Sequence, residues 1–375
     1  RYWLQGHRYF PPPLALRHYS QGHEPQPFSL RALTQRAGSA RRATRICNEP
    51  AFLELTSLAD AWPASCPMRA MSQARQVVPG QTHLLTRRCS ERRFFLKPEQ
   101  KVNDILEFCL AYAAQEFGMR IHAYTFLSNH YHLVVTDTLG NLPRFMKKLN
   151  SLSARFLNRH WERKENLWSA EPYHRSTIHD TAALWDKLVY TMANAVAAGL
   201  VRKPQDWPGA HSVASKVGRV KRCKRPAGFF RDDPKSPVPD EVDLCVTKPP
   251  LLEDMPTEHY RQQLQRLLGT RVIEIRNKRR EEGKRSVLGR QGVMSQEWSE
   301  RPTSSAPRRR KNVSRVSCKD AGLRRRIEKT LSEWDAAYSS AWKAWKSGDR
   351  QAVFPAWTYW MRIKHRAICL PGPSG

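Results

Sequence analysis

The sequence predicts an α+β fold over about residues 76–212, with an antiparallel sheet packed against helices. Three observations predict it. Short runs rich in β-branched and aromatic residues alternate with longer segments whose apolar residues recur every three or four positions. Two of the short runs are joined by only Ser128 and Asn129, too few residues for anything but a hairpin. Gly118 and Gly199 stand where helical periodicity ends, as left-handed terminating residues do.

Taken in order, "THLLTRRC" (Thr82 to Cys89) reads as a first strand, followed by Arg92 and Arg93. Pro98 suits the first turn of a helix, and Val102, Ile105, Leu106, Cys109, Leu110, Ala113 and Phe117 then keep helical spacing. "RIHAYTFL" (Arg120 to Leu127) is a second strand, and "HYHLVVTDT" is its antiparallel neighbour. After Gly140, Asn141 is expected to cap a helix with a buried stripe of Leu142, Phe145, Met146, Leu149, Leu152 and Phe156. "NLWSAEPYHRSTI" (Asn166 to Ile178) reads as an irregular strand or hairpin, and Asp180 caps a helix running to about Ala198. The order strand, helix, strand, strand, helix, strand, helix favours a sandwich of the ferredoxin-like kind.

Outside this stretch the signals change. Residues 1–70 lack sustained periodicity and read as a disordered or spurious N-terminal extension, with Met68 or Met71 as alternative beginnings. Residues 213–250 are basic and Pro-rich and read as a linker. Residues 251–375 read as a basic helical accessory region, with helices near Glu258 to Arg280 and Ala321 to Lys346 and a basic arm between them. On the later helix Trp334, Tyr338, Trp342 and Trp345 read as core rather than as a platform for bases.

The chain has 375 residues and a formal charge of +30, with a mean hydropathy of -0.66. Such an excess of cations calls for a polyanion, and phosphate backbones rank ahead of anionic membranes. No apolar run is long enough to span a bilayer, and a cytoplasmic protein is expected. The eight cysteines contain no CxxC pair, which argues against a zinc ribbon or a disulfide framework.

The local signal that asks for chemistry is "LSNHYHLVV", Leu127 to Val135. Alternation along a strand sends His130 and His132 to one face and Tyr131 to the other. The pair reads either as ordinary half-exposed strand histidines or as two ligands of one ion. A site short of protein ligands leaves coordination positions for water or phosphate oxygen. In "LVYTMANAVAAGLV", Tyr190 and Asn194 are one helical turn apart and share a face. Asn is a poor residue for a helix interior, and its carbonyl oxygen is a possible further ligand.

Together these stretches resemble the single-tyrosine HUH transposases. The closest branch is the REP-associated tyrosine transposases, whose members commonly read "NHxH" and, later, something like "YIHLNPVRAGLV". Here the two motifs are "NHYH" at Asn129 to His132 and "YTMANAVAAGLV" at Tyr190 to Val201, and "RFMKKLNSLSARFLNRHWERKENLW" between them is similar to the family's middle segment. The resemblance spans roughly Gln76 to Ser212. It implies an HUH domain over 71–212 that nicks and joins single-stranded DNA, on hairpin or repeat sequences, in a prokaryotic cytoplasm. By that resemblance His130, His132 and Asn194 would hold Mg²⁺ or Mn²⁺, and Tyr190 would form a 5′-phosphotyrosine. A phenol with an ordinary pKa near 10 needs nearby cations, and Lys187 is one candidate. The sequence departs from the family at Ala195 and Ala197, where Pro and Arg are usual. Losing the Pro should make the helix more regular, and losing the Arg removes a cation.

For binding DNA, whether the protein acts as a monomer or a homodimer, the candidates are Arg87, Arg88, Arg92 and Arg93 after the first strand, Lys147 and Lys148, and the arm Arg308, Arg309, Arg310 and Lys311. The competing readings are a domesticated DNA-binding module without catalysis and an RNA-binding ferredoxin-like domain.

Overall fold

Backbone pairing around one eight-residue strand organises the molecule. A computed structural model describes residues 74–227, 238–303 and 314–372, all within a single unit, residues 70–375. The expected N-terminal extension, with Met68 and Met71, lies outside the described residues. The elements run β1 (Gln81–Arg88), α1 (Gln100–Phe117), β2 (Met119–Leu127), β3 (His130–Asp137), α2 (Leu142–His160), β4 (His174–Ile178), α3 (Thr181–Met192) and α4 (Asn194–Ala197). They continue β5 (Val220–Lys224), β6 (Glu241–Cys245), α5 (Thr257–Glu281), α6 (Gly289–Ser295), β7 (Val316–Ser317), α7 (Ala321–Lys346) and α8 (Trp360–His365).

The class is α+β, and the sheet order is β2-β3-β1-β4-β7. β1 pairs antiparallel with β3 and β4, and β2 pairs antiparallel with β3. The expected antiparallel central sheet is present in β1 to β4, and one edge adds a parallel pair. β7 joins β4 in parallel through Thr177↔Val316 and Ile178↔Ser317, so the sheet is mixed. A parallel neighbour requires a long crossover, here everything from α3 to α6, and a two-residue strand has no periodicity to announce it.

Each face of the sheet has its own cover. Tyr131 and Leu133 point with Leu85 and Tyr124 into the layer of α1 and α2. There the Tyr131 hydroxyl donates to Asn150 Oδ1 at 2.7 Å and the Tyr124 hydroxyl to Glu107 Oε1 at 2.8 Å. The apolar stripe of α1 is buried as its spacing implies, from Val102 to Phe117. Gly118 ends that helix at φ +66°, and a Cβ there would lie 2.6 Å from Leu139 Cδ1, so only glycine fits the turn. The opposite face, with His130 and His132, lies under α3, which packs on β2 and β3.

Two capping expectations separate. Asp180 caps α3, accepting from the Ala183 N–H at 2.6 Å. At α2 the side chain of Asn141 makes no capping bond. The Asp137 carboxylate at the end of β3 accepts instead from the N–H groups of Asn141 and Leu142, each at 2.8 Å. An acid beyond the usual cap position does the work because the strand end folds back under the helix start.

The stretch read as a linker, 213–250, carries β5 and β6, paired from Val220↔Cys245 to Lys224↔Glu241 and packed on α1. Cys223, Val242 and Leu244 are buried on the face toward α1, where Lys221 also reaches the buried Glu107, so the alternation is short and hidden among cations. The C-terminal region is helical. Trp334 is buried, and Tyr338, Trp342 and Trp345 pack around the fully buried Phe354, as expected of core aromatics.

Candidate active site

Pairing register sets the site. On the face under α3, His130 stands between Arg88 of β1 and Leu127 of β2, and His132 stands between Thr86 and Thr125. The two imidazole centroids are 5.0 Å apart and nearly perpendicular. Each ring is oriented by a bond at Nδ1. Asn129 Nδ2 donates to the Arg92 carbonyl at 3.1 Å, which turns Asn129 Oδ1 toward His130 Nδ1 at 2.6 Å. Since an amide oxygen only accepts, the His130 proton sits on Nδ1 and Nε2 carries the lone pair. Thr86 Oγ1 lies 2.8 Å from His132 Nδ1 in the matching position.

Tyr190 arrives from the covering helix. The Thr125 hydroxyl on β2 donates to the Thr191 carbonyl at 2.8 Å and fixes the height of α3 over the sheet. The Tyr190 ring then meets His132 with centroids 5.1 Å apart at 80°. The helix is not the regular rod expected from the loss of proline. It breaks at Ala193, and Asn194 opens the short α4. Even so, the Asn194 amide stays near enough to the Tyr190 phenol to lower its pKa. Asn194 is buried, whereas Tyr190 remains 36% exposed.

Electrostatics favours neutral imidazoles. Burial, then the charges of Arg88 and Arg92, pushes His130 down to about 4. Burial and neighbouring His130, Arg88 and His174 hold His132 well below its ordinary value. Burial raises the Tyr190 phenol, while the Asn194 amide and the charge of Arg88 act against that rise and Asp186 adds to it. Lys187, the cation expected to assist, is held by Asp186 at 2.8 Å, so the cation that acts on the phenol is Arg88.

The donor set fits a divalent ion. Neutral imidazoles with Nδ1 engaged offer Nε2, and Asn194 offers an amide oxygen. Among the described residues no group of three His, Cys, Asp or Glu is assembled for a metal.

The expected DNA contacts scatter. Arg88 is exposed on the site's face. Arg87, its neighbour, points to the other face, bonds the carbonyls of Glu171 and Ser169, and lines a cleft of about 480 Å³ there. Arg92 acts on His130, whereas Arg93 is tied to Glu91 and to the Ser299 carbonyl. Lys147 and Lys148 sit on α2, in the layer behind the sheet, and Lys148 pairs with Glu116 at 2.7 Å. Arg308, Arg309, Arg310 and Lys311 lie outside the described residues. Sequence reasoning missed Thr86, Thr125, Asn129 and His174. The first two become visible only with the register, although Asn129 stood inside the motif itself.

Residues 77–184 match the family model described as "Transposase IS200 like", a stretch that ends before Tyr190. No curated protein matches the chain. Among solved structures, a REP-associated tyrosine transposase bound to a REP hairpin is 18% identical, with a TM-score of 0.33, covering 44% of this chain and 92% of that one. A candidate transposase from Deinococcus radiodurans R1 is 22% identical, with a TM-score of 0.24, covering 31% of this chain and 93% of that one. Residues 77–184 are thus similar to an IS200-like transposase domain.

Proposed function

We propose that the chain cuts and rejoins single-stranded DNA through a 5′-phosphotyrosine on Tyr190, acting on hairpin or repeat sequences, with residues 71–212 as the catalytic HUH domain. The β-α-β-β-α-β order with strands 2-3-1-4 adjacent supports the ferredoxin-like reading of that domain. The observation that carries the function is the meeting of the Tyr190 ring, carried by α3, with His132 of β3, two residues far apart in sequence.

His130, His132 and Asn194 would hold Mg²⁺ or Mn²⁺, which when bound supplies a positive charge to a phosphate oxygen and so favours attack at phosphorus. Asn194 orients the phenol, and Arg88 helps it lose its proton to solvent. The Tyr190 oxygen bonds to phosphorus as the bond to the 3′-oxygen breaks, and that oxygen takes a proton from water. Rejoining is the reverse: a 3′-hydroxyl attacks the phosphotyrosine and releases the phenol. One ester replaces another, so no nucleotide cofactor is consumed.

The test incubates the full chain with a labelled hairpin oligonucleotide carrying single-stranded flanks, with Mn²⁺ or with chelator. The expected result is a metal-dependent nick in a single-stranded flank. Tight, salt-sensitive binding without a nick identifies a DNA-binding module instead, and a preference for RNA untouched by chelator identifies the RNA-binding reading.

A further inference from the structure

The row of side chains on the site's face continues past the histidine pair. Thr125, His132, Thr86 and His174 lie side by side on β2, β3, β1 and β4, since each is the direct register partner of the next. Partners across a sheet project to the same face. α3 packs on β2 and β3, so Tyr190 closes one end of this row. The β1–β4 end carries the exposed Arg88 and His174.

His174 Nε2 is buried and has no hydrogen-bond partner. A ring nitrogen withdrawn from water without a partner is destabilising, and native proteins keep few of them. The charged neighbours that act on this ring are the guanidiniums of Arg75 and Arg88, with no carboxylate among them. An N–H donor in such surroundings suits an anion.

We propose that His174, as its Nε2–H tautomer and with its ring turned out of its partnerless burial, grips together with Arg88 a phosphodiester oxygen of the bound DNA strand, at the phosphate neighbouring the one that faces Tyr190. Two strand spacings, about 10 Å, separate His174 from His132, which sets it beside the reacting phosphate rather than on it. This role rests on the single-strand reading above.

The test uses the full-length Tyr190→Phe protein, which leaves DNA uncut. Its affinity for the labelled hairpin oligonucleotide in Mn²⁺ is measured by fluorescence anisotropy, with one phosphate at a time replaced by a neutral methylphosphonate. Adding His174→Ala should weaken binding about tenfold, and His174→Gln, which keeps an N–H donor, should restore most of that loss. One methylphosphonate position should weaken the His174 protein clearly more than the His174→Ala protein, in which Arg88 alone faces that phosphate. Mn²⁺ affinity by calorimetry should be equal in the two proteins. If every methylphosphonate position weakens both proteins alike, or if Mn²⁺ affinity falls with His174→Ala, the phosphate contact is wrong while the nicking function stands. If the Tyr190→Phe protein binds no single strand, both readings are wrong.

Discussion

The ring of Tyr190 stands edge-on to that of His132, with centroids 5.1 Å apart at 80°, across the gap between α3 and the sheet. In the proposed reaction this placement would set the phenol beside a phosphate held at His132. Geometry of this kind depends on residues that never touch DNA, and those residues give the clearest tests.

Thr86 is one of them. Its hydroxyl holds His132 Nδ1 at 2.8 Å. Thr86→Val keeps the shape and removes the bond, so the imidazole is free to turn. Mn²⁺ affinity should fall by about tenfold by calorimetry, with a loss of stability of about 1 kcal/mol. Unchanged Mn²⁺ affinity would show that ring orientation is set elsewhere.

Arg88 controls ionisation. Its charge lowers the Tyr190 pKa against the rise caused by burial. Removing that charge in Arg88→Gln raises the phenol pKa, so less phenolate is present at a given pH. The single-turnover rate at saturating DNA should drop at neutral pH, and its rising limb should shift to higher pH. A profile that drops uniformly without shifting would assign Arg88 to DNA binding alone.

Asp180 ties α3 to the C-terminal region through the N–H groups of Lys319 and Asp320. Burial alone would raise its carboxyl, but bonds from Cys318 and from the N–H groups of Ala183, Asp320 and Lys319 outweigh burial and hold it at about 2. With the folded pKa below the unfolded value of about 3.9, the stabilisation is fully present above pH 4 and is lost as pH falls toward 2. The amount is about 1 kcal/mol after discounting for solvent screening. Acid unfolding of Asp180→Asn should lose this contribution to the slope between pH 4 and 2, and an identical slope in both proteins would contradict the assignment.

Much of this was legible because it is local. Strand alternation alone puts His130 and His132 together, and the stripe and terminal glycine of α1 and the Asp180 cap of α3 follow from spacing. Pro98, expected in the first turn of α1, instead stands outside a helix that starts at Gln100. Alternation also separates Arg87 from Arg88, so their grouping into one DNA-binding patch overlooked a rule the sequence already contained. What stayed hidden is long-range. Thr86 and His174 join the site only through pairing between strands far apart in sequence, and Asp137 acts on a helix that its own strand meets by folding back. β7 has two residues and gains its meaning only from β4.

Peptide mapping of the covalent protein-DNA adduct tests the central claim most directly. Wild-type protein is incubated with Mn²⁺ and the hairpin oligonucleotide, digested with nuclease and protease, and read by mass spectrometry. A 5′-phosphotyrosyl modification on Tyr190, absent from Tyr190→Phe, is the predicted result. An adduct on another residue, or one formed equally well by Tyr190→Phe, would contradict the account.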